Sequence, residues 1–408
     1  MEVIEINGND TTSLEPNNID VQIRFHEKMS TSMTYDLFFT QYLLPNRPCV
    51  FQSGITDKWP CAQKWRINNA PNFKQLKKLY GDCQVPVANC KVKYYNAQLK
   101  NTMTIEKFMD YWQEYKNKNY PGDMPVLYLK DWHCLRDNPN SLIYQVPKFF
   151  ASDWLNEYYL AHSDLSDDYM FVYMGPKGSW TPLHVDVFKS YSWSANIVGK
   201  KRWLLFPPGE ENNLYDAYGH LPYDINFSED NNSVFNHCKN SLEIIQGPGE
   251  IVFVPSGWHH QVWNLEDTIS INHNWINGCN ILDIWKELKK ALSAVMKEIE
   301  DCCNMDNWLT HCQVVLKASH GMDYSQFYDF ISFIIENRLN TINKGTSYTS
   351  FDTWQLGINH ILFDLCRAKL VLNKLINDVK EKDVYDIVFH GNRPEDLVDR
   401  VETKLKNM

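Results

Sequence analysis

Residues 181–193 read TPLHVDVFKSYSW, with His184 and Asp186 two positions apart between runs of β-forming residues. Successive side chains of extended backbone alternate sides, so residues i and i+2 point the same way. A neutral imidazole and a carboxylate aimed at one point make two thirds of a metal site, provided that a third ligand arrives from another strand. A lone H-x-D is a weak signal, because His162 and Asp164 repeat the pattern in AHSDLSDDYM. That second pair follows a helical DWLNEYYL inside an acidic stretch with no flanking strand, and it reads as a solvated loop.

The residues around the first pair decide the fold class. Between about 168 and 276, short β-rich runs follow one another: YMFVYMG, SYSWSANIVG, KRWLLFPP, LEIIQ, EIVFVP, HHQVW and TISINHNW. Gly and Pro punctuate them at GPKG, VGKK, PPGE, QGPGE and PSGW, the texture of an antiparallel sandwich or barrel. The one long gap, roughly 209–240, is polar and reads as an inserted loop. VPSGWHHQVWN offers a distal histidine, either His259 or His260, since one of two neighbours on a strand points inward. VGKKRWLLFPP offers Lys200, Lys201 and Arg202; one of these, if buried, would have its charge answered by an anionic ligand. Two histidines and one carboxylate on such a barrel describe a facial triad that leaves coordination positions open for co-substrate and dioxygen.

FVYMGPKGSWTPLHVDVFKSYSWSANIVGKKRWLLFPP, followed by QGPGEIVFVPSGWHHQVWNLEDTISINHNW, resembles the JmjC (jumonji C) oxygenases. RPCVF, WPCAQKW and QVPKFF resemble the N-terminal part of the small hydroxylases in that family, and the likeness spans roughly residues 35–280. It implies a double-stranded β-helix of the jelly-roll or cupin-like kind, with Fe(II) as cofactor and 2-oxoglutarate and O2 as co-substrates. It implies His184, Asp186 and His260 as metal ligands, with His259 as a neighbour only. Lys201 and Tyr128 match the residues that bind the distal carboxylate of 2-oxoglutarate. Thr181 sits where some relatives place a co-substrate threonine. Ser194 and Asn272 stand where relatives carry Asn and Thr, and both remain polar groups for that site. His273, next to Asn272, should face away from the cavity and pack, and Trp193, Trp258 and Trp263 read as core. His133, His220, His237, His311 and His320 read as loop or surface.

The fold expected is mainly β with helical additions. A flexible N-terminus (1–32) precedes an α/β region (33–140) packed on the core. The JmjC core (141–280) and a C-terminal helical region (281–408) follow. Within the α/β region, helices are expected over 33–45, NFKQLKKLYGD and TIEKFMDYWQEYKNK, the last capped by Thr104; PCVFQ, QVPVANC and MPVLYLKDW read as strands. Beyond 280, DIWKELKKALSAVMKEIEDC, DYSQFYDFISFIIENRL and TWQLGINHILFDLCRAKLVLNKLINDV read as helices. The third is apolar over a wide face, which suits a bundle or an interface.

A formal charge of −10 gives no electrostatic footprint for nucleic acid. Eleven scattered cysteines with no C-x-x-C argue against disulfides and zinc ribbons and for a reducing compartment. No run approaches the roughly 18 to 20 apolar residues of a membrane span, and no signal peptide is visible. The location expected is cytoplasmic, with the nucleus as the alternative. Within the family, Asp rather than Glu in the H-x-D, together with the lack of a cysteine-rich zinc module, favours protein hydroxylation over N-methyl-lysine demethylation. A complete ligand set disfavours a non-catalytic scaffold. The resemblance is nearest to the lysyl hydroxylases, which implies the eukaryotic translation termination (release) factor as protein substrate. It also suggests a homodimer through the C-terminal helices.

Overall fold

The structure is a computed structural model that describes residues 2–8, 28–95, 97–165, 167–216, 218–226, 238 and 240–408. Strand β1 is Glu2–Ile4, β2 Cys49–Phe51, β3 Arg66–Ile67, β4 Ala70–Pro71, β5 Gln84–Tyr94, β6 Ala97–Thr104 and β7 Leu127–Trp132. They are followed by β8 Met170–Gly175, β9 Trp180–His184, β10 Tyr191–Val198, β11 Lys201–Phe206, β12 Leu242–Gln246, β13 Ile251–Val254, β14 His259–Asn264 and β15 Thr268–Trp275. Two short strands, β16 Tyr348–Ser350 and β17 Trp354–Leu356, complete the set.

Two sheets make the body. One has eight strands in the order β2-β13-β10-β15-β8-β7-β5-β6, the other four in the order β12-β11-β14-β9. Trp203, Leu205, Leu242, Ile244 and Val262 of the small sheet pack on Val50, Val252 and Val254 of the large one. This is the cupin-like, double-stranded β-helix arrangement expected, with an apolar cluster between the two sheets. Residues 84–132 contribute three strands to the large sheet, so the N-terminal region is continuous with the core rather than laid on it.

The outer face of the large sheet is covered by the N-terminal helices. Helix Ile105–Asn117 starts at Thr104, whose hydroxyl accepts from the Lys107 amide, and buries Ile105, Phe108, Met109 and Trp112 at the expected spacing. Helix Phe73–Tyr80 ends at Gly81 as expected. Beyond residue 280, helices Ile281–Glu298, Trp308–His320, Tyr324–Lys344, Ile358–Glu381, Tyr385–Phe389 and Pro394–Lys406 form a bundle around one apolar cluster. The wide apolar face of Ile358–Glu381 is consumed inside this bundle, where Leu365, Val371, Leu372 and Leu375 are fully buried. No helix among the described residues is long and apolar enough to cross a membrane. All eleven thiols are free.

Two expectations fail here. Residues 2–8 are not loose: β1 pairs in parallel with β17, and Ile4 and Ile6 are 1% exposed. Alternating apolar residues in EVIEI carry that strand; residues 9–27 lie outside the described set. TWQLG does not open the last long helix. Its Trp354–Leu356 form β17, and Gly357 caps the helix that starts at Ile358. β-Branched and aromatic residues in YTSFDTWQL favour a hairpin once the N-terminal strand supplies an edge to pair with.

Candidate active site

The ligand cluster sits between the two sheets. His260 on β14 lies directly opposite His184 on β9 in the strand register, and their rings are 4.3 Å apart. Asp186 is not on that strand. The ladder ends at His184, and Asp186 follows in extended backbone (φ −62°, ψ 151°) as the cap of a turn, so its side chain still returns to His184. One ligand atom from each of His184, Asp186 and His260 can lie within 4.8 Å of the others, and no other such cluster occurs among the described residues.

Each ligand is oriented by a second partner. His184 Nδ1–H donates to the Pro182 carbonyl (2.8 Å) and His260 Nδ1–H to that of Trp258 (3.1 Å), which leaves both Nε2 lone pairs for a metal. Ser192 Oγ donates to Asp186 Oδ2 (2.6 Å), leaving Oδ1 to coordinate. Burial, and then the neighbouring His260, pull the His184 pKa down against the opposing pull of Asp186, so the imidazole is neutral, as a ligand must be. These orphaned acceptors on a two-histidine, one-carboxylate face fit Fe(II). His259 faces the other way, its Nδ1 4.0 Å from Glu211, so the choice between the two histidines falls to His260.

The β9 edge carries a bulge: the register shifts so that Val262 faces Thr181 and His260 faces His184. Two residues of β9, Pro182 and Leu183, thus oppose one of β14, Gln261, which brings Thr181 and His184 to the same cavity despite their odd spacing. Pro182, with no N–H to lose, occupies the irregular stretch.

Deeper in the same cavity, Lys201 is 2% exposed. Its ammonium donates to Ser270 Oγ (2.7 Å) and has no ion-pair partner among the described residues, so burial lowers its pKa to about 7. Lys200 and Arg202 instead pair on the outside with Glu266 and Glu243. Gly199 (φ +75°) makes the turn that starts this strand; a Cβ there would lie 2.0 Å from the Asp267 carbonyl. Tyr128, Thr181, Ser194 and Asn272 all line the cavity with Lys201 and the ligands. Ser194 stands directly opposite Asn272 across β10 and β15, and its buried hydroxyl has no partner among the described residues. Asn272 Nδ2 donates to Ser270 Oγ (3.0 Å). Tyr128 stays a neutral phenol, its pKa pushed up by burial. Its ring lies against Gly175, where any Cβ would come within 2.5 Å of Cδ2. A buried cation without a counter-ion, ringed by hydroxyl and amide donors, fits one end of a dicarboxylate.

Sequence reasoning missed Ser192, Ser270 and Tyr173, which also bear on the cavity. The period-two polar row Ser192, Ser194, Asn196 in SYSWSAN could have revealed the first. His273 is fully buried behind the wall, where it stacks on Trp193 (4.2 Å) and bonds to the Tyr144 hydroxyl (2.6 Å). Trp193 and Trp258 are buried, while Trp263 is half-buried with the Arg202 guanidinium over its ring. His162 and Asp164 do not form a site; His162 bonds to the Tyr158 carbonyl and Asp164 is exposed. His133 is no free loop residue, since it pairs with buried Asp168 at 2.7 Å. His220 and His320 are exposed, the latter with His311 on a helix rather than a loop, and His237 lies outside the described residues.

Fold and cavity together define a protein of the cupin-like class, its cavity lined by a two-histidine, one-carboxylate cluster and by a buried lysine. The Cupin-like domain family model matches residues 35–280. The chain is 45% identical over 401 residues to the 2-oxoglutarate and iron-dependent oxygenase JMJD4 of Danio rerio, covering 94% of this chain and 93% of that protein. It is 44% identical over 352 residues to the Homo sapiens protein of the same name, covering 85% and 83%. The arginine-specific demethylase JMJ20 of Arabidopsis thaliana is 40% identical over 375 residues, with 86% and 80% covered. The chain belongs to the JMJD4 family of 2-oxoglutarate and iron-dependent oxygenases.

Proposed function

We propose that this oxygenase is a protein hydroxylase that acts on a lysine side-chain carbon, with the eukaryotic translation termination factor as its substrate. The observation that carries the reading is the cavity itself, where the complete His184, Asp186 and His260 set faces Lys201. The family likeness, nearly end to end, supports it. Iron with 2-oxoglutarate and dioxygen, when bound, supplies the oxidation that puts one oxygen atom into a C–H bond and the other into succinate, with loss of CO2. His184 and His260, through Nε2, and Asp186, through Oδ1, would hold the metal. Lys201 and Tyr128 fix the distal carboxylate of 2-oxoglutarate, and Thr181, Ser194 and Asn272 complete its hydrogen bonds. Trp203 and Val262 give the same cavity an apolar side. A cytoplasmic location agrees with a translation factor as substrate.

A second reading has its own observation, the similarity to an arginine-specific demethylase. Lysine or arginine demethylation would use the same ligands and co-substrate on an N-methyl carbon. The test is anaerobic loading with Fe(II) and 2-oxoglutarate, then oxygen with recombinant release factor or with methyl-lysine and methyl-arginine peptides. Succinate formation coupled to a lysine heavier by one oxygen, and lost in His184→Ala and Lys201→Ala, supports the hydroxylase. Loss of a methyl group with formaldehyde release supports the demethylase. Turnover with neither overturns both substrate readings.

A further inference from the structure

On the wall of the iron cavity, Tyr173 of β8 lines the space together with His184, Asp186 and Asn272. Its hydroxyl donates to Asp131 Oδ1 (2.6 Å), and the other carboxylate oxygen pairs with the Lys100 ammonium. Asp131 reaches this position through an irregularity: the β7–β8 register shifts between Leu129 and Trp132, and Asp131 takes φ +59°. Such a bulge re-aims one side chain of a strand. The bond to Tyr173 thus holds an anionic oxygen against the hydroxyl of a residue that lines the cavity.

The ion pair does not account for the arrangement. Lys100 and Asp131 keep 47% and 34% of their side-chain surface exposed. Pairs as exposed as this contribute little to stability, and the Lys100 ammonium is readily exchanged for another cation. Burial opposes ionisation of Asp131, yet Lys100, Tyr173 and Lys130 outweigh it and hold the carboxyl below its ordinary pKa. Lys130, its neighbour, is buried and turned to Gln98 Oε1 (2.9 Å), so it does not compete for the carboxylate.

The neighbouring wall is aromatic. Tyr173 packs edge-on against Tyr128 (6.0 Å) and lies 6.4 Å from Phe171, the residue opposite Asn272 in the sheet. A wall of rings ending in a carboxylate suits a long apolar stem that ends in a cation.

We propose that Asp131, held by Tyr173, receives the ammonium of the target lysine and so decides which stem carbon lies over the iron face. The inference rests on the hydroxylase reading and deepens it, because it assigns the substrate's charge to a residue of this chain. Lys100 is the placeholder that the substrate cation displaces. Asp131 is a positioning and specificity residue that takes no part in the oxidation.

The test uses the full chain loaded with Ni(II), which does not turn over, and saturating 2-oxoglutarate. Calorimetry compares Nα-acetyl-lysine amide with its Nε-acetylated, uncharged form, in wild type, Asp131→Asn and Asp131→Glu. A charged hydrogen bond predicts that wild type prefers the cation by about tenfold or more. Asp131→Asn should lose that preference, and Asp131→Glu should recover part of it, a rescue that a merely structural role does not predict. Equal preference in wild type and Asp131→Asn, or no binding of the cationic probe, overturns the inference. Release factor turnover separates the two readings. If wild type leaves release factor unmodified while the probe still discriminates through Asp131, the substrate assignment falls and the ammonium site stands. If both proteins hydroxylate release factor with the same KM, the ammonium site falls and the hydroxylase stands.

Discussion

Replacing Lys201 by methionine should stabilise the unliganded protein and abolish its use of 2-oxoglutarate. Lys201 is 2% exposed, and among the described residues its ammonium bonds to the neutral Ser270. Burial brings its pKa from 10.5 to about 7. The unfolded chain therefore keeps this proton up to pH 10.5, while the folded protein gives it up near 7. Between those values the unfolded state binds more protons, so this group's contribution to stability improves as pH rises from 7 to 10.5. Below pH 7 the penalty is complete and amounts to about 5 kcal/mol, from 1.36 kcal/mol per pKa unit. Methionine fills similar space without the charge, and Asn272 still bonds to Ser270. Urea denaturation at pH 6 should show Lys201→Met more stable than wild type by a few kcal/mol, on the order of the gain seen when buried charges give way to apolar groups. Truncating one partner of a buried charge pair costs about 2 to 5 kcal/mol, so calorimetry should show 2-oxoglutarate binding at least about thirtyfold weaker. For wild type, affinity should fall about tenfold from pH 6 to pH 8, because only the protonated lysine binds the carboxylate. A Lys201→Met protein that binds 2-oxoglutarate within threefold of wild type, or that is less stable at pH 6, would refute the reasoning.

Ser192→Ala removes the bond that turns Asp186, and metal affinity read by competition with a chelator should drop about 10- to 100-fold with all three ligands intact. Gly175→Ala pushes a methyl into the Tyr128 ring; the KM for 2-oxoglutarate should rise while metal affinity stays at the wild-type value. Arg338, fully buried, bonds both oxygens of Glu157 (2.8 and 2.9 Å) and Asp364 (2.8 Å), joining the C-terminal bundle to the helix Trp154–Ala161 below the core. Arg338→Leu strands two buried carboxylates, and denaturant titration should show a loss of about 3 to 5 kcal/mol. The homodimer expected from the C-terminal helices is checked by light scattering: twice 48.0 kDa supports it, and a single chain mass overturns it.

How much of this was legible in the sequence follows from the range over which each feature is determined. The strands of the core announce themselves by turn residues and β-branched runs, which are local signals. The ligand pair His184 and Asp186 is local as well, though alternation gave the right side for the wrong reason: the strand ends at His184, and extended backbone beyond it preserves the direction. His260 is different, because nothing nearby in sequence separates it from His259. Only the register of β14 against β9 makes one the partner of His184 and turns the other toward Glu211. Burial is least legible of all. VGKKR presents three cations in a row, and the sheet decides that Lys201 goes inside while Lys200 and Arg202 find carboxylates outside. Asp131 lies at the same limit. In VLYLKDW it reads as a strand-end charge, and a bulge that depends on pairing with β8 sends it to Tyr173. The residues hardest to find in the sequence are therefore those whose direction is set by a partner strand, and these are the ones that hold charge inside or beside the cavity. A buried or half-buried charge lowers stability unless something answers it, so each such residue that a sheet forces inward without a protein partner points to where a ligand belongs.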